Sequence, residues 1–162
     1  MWKAFFAFSL VFLAMVAHAD EAEKWRALGP GASHEMIRLF SHVQKKTKQL
    51  EILQGLGALN EPEGVAFLKQ EAKNDENKVA RLTAIRALGR AQGVQAKDFV
   101  ASFLKDPDPQ TRFAAAETLK KMNDPAAQKI LERYESHEKT KWIVERLNEP
   151  TRKKLTRHKP IY

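Results

Sequence analysis

The chain has 162 residues, a formal charge of +8 at neutral pH and no cysteine. That length suits one domain of ordinary size, and the missing cysteines exclude disulfides, thiolate metal ligands and thiol redox chemistry. The charge excess is local: residues 150–162, PTRKKLTRHKPIY, hold Arg152, Lys153, Lys154, Arg157 and Lys159 and no acid, which leaves the body before them close to balanced.

At the N-terminus, MWKAFFAFSLVFLAMVAHAD carries Lys3, an apolar run from Ala4 to Ala17, and Ala17-His18-Ala19 as a small-x-small site. This is the pattern of a cleaved secretory signal peptide over residues 1–19, with the mature chain starting at Asp20 in the periplasm or outside the cell. The apolar run is too short for the roughly 20 residues that a spanning helix needs, so no transmembrane span is expected after cleavage. Residues 20–33, DEAEKWRALGPGAS, read as a flexible lead-in broken by Gly29-Pro30-Gly31.

From residue 34 to 149 the chain repeats itself. Val79 to Gly89, moved forward by 31, falls on Gln110 to Lys120 and matches Arg81 with Arg112, Ala84 with Ala115 and Leu88 with Leu119. Moved back by 32, the same segment meets Leu53, Leu56 and Gly57, with Gln49 at the arginine position. Asn60-Glu61-Pro62 recurs as Asn123-Asp124-Pro125, and Phe67-Leu68 recurs as Phe99-Val100 and Ile130-Leu131. Each unit is thus a helical hairpin whose two apolar stripes no lone hairpin covers, and stacking neighbours buries them. Within DPDPQTRFAAAETLKKMNDP, residues 106–125, proline cannot sit mid-helix but suits the first turn. Asp108-Pro109 and Asp124-Pro125 therefore start helices, Asp106-Pro107 closes the preceding one, and the alanines permit close stacking. Asp75, Asp108 and Asp124 are the expected N-caps rather than acid-base groups.

The segments NDENKVARLTAIRALGR and DPDPQTRFAAAETLKKMNDPAAQKIL resemble HEAT repeats, in the short bacterial form called HEAT-like or phycobilisome-lyase-type. The resemblance implies an all-α fold, a short right-handed α-solenoid of about four stacked hairpins. It also implies a structural ladder that joins an Asp at a turn to an Arg in the second helix: Asp75 with Arg81, and Asp106 or Asp108 with Arg112. The first unit departs from the pattern, with Val43 and Gln49 at those places. The last unit is short, with Trp142, Ile143 and Leu147 as its apolar residues, and both departures suit end caps. Trp142 is expected to fill the end of the core.

No catalytic, cofactor-binding or metal-binding residue is expected. His34 and His42 have no third ligand at regular spacing, His137-Glu138 lacks the rest of an HExxH motif, and His158 lies in the tail. No serine sits in a Gly-x-Ser-x-Gly elbow, and Gly55-Leu56-Gly57 lies inside a helix pattern rather than a phosphate loop.

By resemblance, the second helices line the concave face of such an array. Lys78, Arg86, Arg90 and Lys121 take outward positions there and form a candidate cationic groove, interrupted by Glu117. The leading expectation is an exported, non-enzymatic scaffold or adaptor for a protein partner in the cell envelope. The alternative is an anionic surface or polymer, such as lipid headgroups, acidic polysaccharide or nucleic acid, held by the basic tail and groove and weakened by salt. With Tyr162 the only aromatic residue of the tail, sequence-specific nucleic-acid binding is not expected. HEAT-like folds include DNA alkylpurine glycosylases and bilin lyases, so an enzyme is the third reading. The signal peptide and the shortness of the array count against a DNA enzyme.

Overall fold

Prolines and asparagines divide the chain into helices that pack in pairs. The computed structural model describes residue 25 and residues 27–74 and 76–149. Helices α1 (Ala32–His42) and α2 (Lys46–Leu59) form the first hairpin, and α3 (Pro62–Lys73) and α4 (Lys78–Gln92) the second. The third joins α5 (Lys97–Ser102), flanked by 3-10 turns at Gly93–Ala96 and Phe103–Lys105, to α6 (Pro109–Lys121). The fourth consists of α7 (Pro125–Glu135) and α8 (Lys141–Asn148). Among the described residues there is no strand. Second helices pack on second helices, α2 on α4, α4 on α6 and α6 on α8, while α1 packs on α3. The fold is an all-α solenoid.

Local chemistry sets the helix ends. Pro62, Pro109 and Pro125 open their helices, where a missing amide costs nothing. The Asp108 carboxylate accepts from the Thr111 amide at 3.0 Å, and that of Asp124 from the Ala127 amide at 2.8 Å. The cap of α4 is Asn77, which accepts from the Ala80 amide at 3.2 Å. This corrects the N-cap expected at Asp75, which itself lies outside the described residues; Asn77 stands directly before the first helical residue and has the shorter reach. At the other ends, Asn60, Gly93 and Asn123 have φ of 53°, 52° and 51°. Asn60, with ψ of 31°, leaves α2 through the left-handed region that asparagine tolerates, whereas Gly93, with ψ of −125°, leaves α4 through a positive-φ conformation suited to glycine.

The core repeats with the sequence. Leu56, Leu88 and Leu119 are buried at matching places of α2, α4 and α6, and Leu68, Val100 and Leu131 at matching places of α3, α5 and α7. Phe67, Phe99 and Ile130 pack half-buried beside them. Small residues bring the second helices together. A Cβ on Gly57 would lie 2.9 Å from Ala87 Cβ, and one on Gly89 would lie 2.1 Å from Thr118 Cγ2. Gly57 and Gly89 are 32 apart, and Ala87 and Thr118 are 31 apart, so one contact occurs twice. The next residue in the series is Lys120, whose ammonium donates to the Leu147 carbonyl of α8.

Two expectations need revision. Helix α1 starts at Ala32, ahead of the boundary expected at His34, and Ala32 and Ser33 are buried. The Glu61 carboxylate anchors this start by accepting from the amides of Gly31 at 2.8 Å and Ser33 at 3.0 Å, and Trp25 packs against the core. Trp142 does not fill the core: it is 42% exposed, with its ring tilted on Phe113 at 5.3 Å. Ile143 and Leu147 are the buried residues of α8, and one residue back along a helix is about 100° around it.

Candidate functional site

The buried charges on the second helices form a ladder that points forward along the chain. Arg81 on α4 reaches the turn before α6, where it meets the Asp106 carboxylate at 3.4 Å and the Thr111 hydroxyl at 2.9 Å, with Asp108 at 3.9 Å. Arg112 on α6 reaches the turn before α8. It donates to both oxygens of Glu138 at 2.8 and 3.1 Å and to the Thr140 hydroxyl at 2.8 Å. It also donates to the carbonyls of Asp106 at 2.9 Å and Pro107 at 3.1 Å. Each acceptor carboxylate in turn orders its own loop, Asp106 through the Asp108 amide and Glu138 through the Thr140 amide, both at 2.8 Å.

The expected pairing of Arg112 with the carboxylate of Asp106 or Asp108 is therefore corrected, because its ionic partner is the acid of the following unit. Glu138 escaped the sequence reading. The signal was present, since Glu138 follows Asp106 by 32 residues, but the aspartate had become glutamate. In the first unit, Gln49 donates to the Val43 carbonyl at 2.9 Å, the same six-residue step as Arg112 to the Asp106 carbonyl. Glutamine keeps the backbone half of the rung without the ion pair.

These contacts set the electrostatics. Arg112 holds Glu138 well below the usual carboxylate range against the opposing effect of burial, with help from the Tyr134 hydroxyl, which donates to the same carboxylate. Burial, with Glu138 adding to it, pushes the Tyr134 phenol above its ordinary value. Burial also opposes ionisation of Asp108, yet hydrogen bonds from Lys78 and Thr111 bring it down to about 2. Each of these groups is engaged between helices.

The outward side of the second helices carries the other residues singled out in the sequence. Lys78 pairs with Asp108 at 2.8 Å. Arg86 and Lys121 share Glu117, at 3.0 and 2.7 Å, and these two cations, Lys121 foremost, overcome burial to lower its pKa. Arg90 is exposed, and no carboxylate pairs with it among the described residues. The structure thus brings Arg86 and Lys121 together through Glu117, whereas Lys78 is drawn to the α6 cap. Val79 and Trp142 are exposed on this side, at 56% and 42%; the sequence reading weighed Trp142 as a stacking platform against a core position and favoured the core, and it did not mark Val79 as a surface feature. Arg152, Lys153, Lys154, Arg157 and Lys159 lie outside the described residues.

Among the described residues, no group of three or more His, Cys, Asp or Glu side chains is placed to hold a metal ion, and no helix is long and apolar enough to cross a membrane. His34 pairs with Glu63 at 3.1 Å, and both side chains are exposed.

No curated protein and no solved structure matched the chain. A family model for HEAT repeats matches residues 65–147. That span runs from α3 through α8 and contains both arginine rungs and the close contact between Gly89 and Thr118. The chain belongs to the HEAT repeat family.

Proposed function

We propose that this chain is an exported, non-enzymatic scaffold that binds a protein partner in the cell envelope through the outward face of its second helices. One observation carries the reading: the strongly perturbed titratable groups are spent on holding helices together, while the side of α4 and α8 that faces away from the core presents Val79, Arg90 and Trp142 to solvent. Repetition turns such positions into a long binding surface. The signal-peptide pattern of residues 1–19 supports export to the periplasm or beyond.

The test is chemical crosslinking in a cell-envelope extract, read by mass spectrometry at low and high salt. A discrete protein linked to the second helices α2, α4, α6 and α8 under both conditions is expected. Capture of lipid, polysaccharide or nucleic acid at low salt alone, with links confined to residues 150–162, would refute it, as would catalytic turnover by the purified protein. An intact mass that begins at Asp20 is the expected sign of export, and an unprocessed chain would refute that part.

A further inference from the structure

On a helix, residues three and four apart share a face. In α4 these are Val79, Leu82, Arg86 and Arg90, in order from the first turn to the last. Repeat equivalence extends both ends of that row. The first-turn end continues as Leu50 on α2, Phe113 on α6 and, at the place of Val79, Trp142 on α8. Leu50, Leu82 and Phe113 are half-buried, so their outer edges remain open beside the more exposed Val79 and Trp142. The last-turn end continues as Lys121 on α6. Two bands therefore lie side by side, an apolar one that runs from α2 to α8 and a cationic one on α4 and α6.

On α4 and α6 the cationic band has one acid, Glu117, already held between Arg86 and Lys121, and its repeat equivalent after α8, Glu149, pairs with Arg146. Positive charge remains on this triad, and Arg90 adds to it. A partner lying across both bands meets an apolar strip with a basic strip beside it, so a basic or neutral segment would leave Arg90 and Lys121 opposed or unanswered.

We infer that the partner is an acidic amphipathic segment of another protein, lying along the array with its apolar side on Phe113 and Trp142 and its carboxylates toward Arg86, Arg90 and Lys121. This rests on the scaffold reading and adds the chemistry of the partner. Helices pack about 8–10 Å apart, so four second helices span about 30 Å. That matches about 20 residues of helix or about nine of extended chain.

The experiment displays a random 20-residue peptide library on phage, about the helical length above, and selects it on the full chain. Counter-selection uses the Trp142→Ser and Arg90→Glu variants. The expected pool is enriched in Asp and Glu over Lys and Arg, with apolar residues three and four apart. Its peptides should bind each variant about tenfold more weakly and protect α2, α4, α6 and α8 from hydrogen exchange. Binders that protect these helices but show no acidic enrichment would overturn the inference and leave the scaffold reading standing. Binders that map elsewhere, or none, would overturn both. Sedimentation showing a dimer that Trp142→Ser abolishes would assign the face to a second copy and also overturn it.

Discussion

Replacing Glu138 isolates the last rung of the ladder. The side chain is 4% exposed and faces an Arg112 side chain that is 17% exposed. Removing one partner of a buried pair costs about 3–5 kcal/mol, because the other charge stays buried. Here Arg112 keeps the carbonyls of Asp106 and Pro107 and the Thr140 hydroxyl, which places the loss near the lower limit. Glu138→Ala should cost about 3 kcal/mol, and Glu138→Gln about 2, since the amide oxygen still accepts one bond. Urea unfolding followed by far-ultraviolet circular dichroism reads this as a midpoint lowered by about 1–2 M. Replacing both residues by methionine should recover most of the stability, with a coupling of about 2 kcal/mol. A Glu138→Gln unfolding free energy within about 0.5 kcal/mol of the parent would show that the carboxylate holds nothing, and the ladder argument would fail.

Gly89→Ala gains helix propensity of about 1 kcal/mol but drives a methyl into Thr118, so a net loss of about 1–2 kcal/mol is expected in thermal melts. Adding Thr118→Ser removes the opposing methyl and keeps the hydroxyl that donates to the Ala114 carbonyl; it should restore stability, and no rescue would refute the contact. Asp108 and Glu138 titrate below their ordinary range, so their stabilisation is full above about pH 5 and is lost progressively as pH falls from there to about 2 and below. Lys78→Met should shrink that acid-side loss in unfolding curves measured from pH 2 to 6. Glu71 runs the other way, because burial raises its pKa and ionisation there costs stability; Glu71→Gln should raise the neutral-pH midpoint, and a lowered one would refute the assignment. Asp124→Ala should cost about 1 kcal/mol, visible as faster hydrogen exchange at the start of α7.

What the sequence made legible were features with a local cause. Asp-Pro and Asn-x-Pro steps mark helix ends because proline and left-handed asparagine act within two or three residues, and the caps at Asp108 and Asp124 follow from that chemistry alone. Leu56, Leu88 and Leu119 could be aligned because burial demands the same volume in every unit. The ladder was only half legible. Its arginines repeat at a fixed interval, but the partner of Arg112 lies beyond the next first helix, and a glutamate there delivers the same carboxylate as an aspartate. Trp142 was misplaced for a different reason: in an eight-residue helix, adjacent Trp142 and Ile143 compete for one buried position, and composition cannot say which wins.

The forward direction of the ladder bears on how the face is held. Arg81 ties α4 to the turn that starts α6, and Arg112 ties α6 to the turn that starts α8. Each rung thus fixes the first turn of the following second helix, and that turn is where the apolar band lies. Phe113 follows Arg112 directly, while Trp142 stands two residues after Thr140, which both Arg112 and the Glu138 carboxylate hold. The rungs bury their own charge and so add nothing to the surface directly, but they set the register between successive apolar anchors. Loss of the Arg112 rung should therefore free the Trp142 ring from Phe113 before it unfolds the array, because α8 has only Ile143 and Leu147 buried against its neighbours. A Glu138→Gln variant whose Trp142 fluorescence shifts to the red at urea concentrations below the helical transition would show this order, with Trp2→Phe and Trp25→Phe as the background, since the chain has three tryptophans. Coincident transitions would mean that the rung stabilises the whole array at once and leaves the spacing of the anchors to helix packing alone.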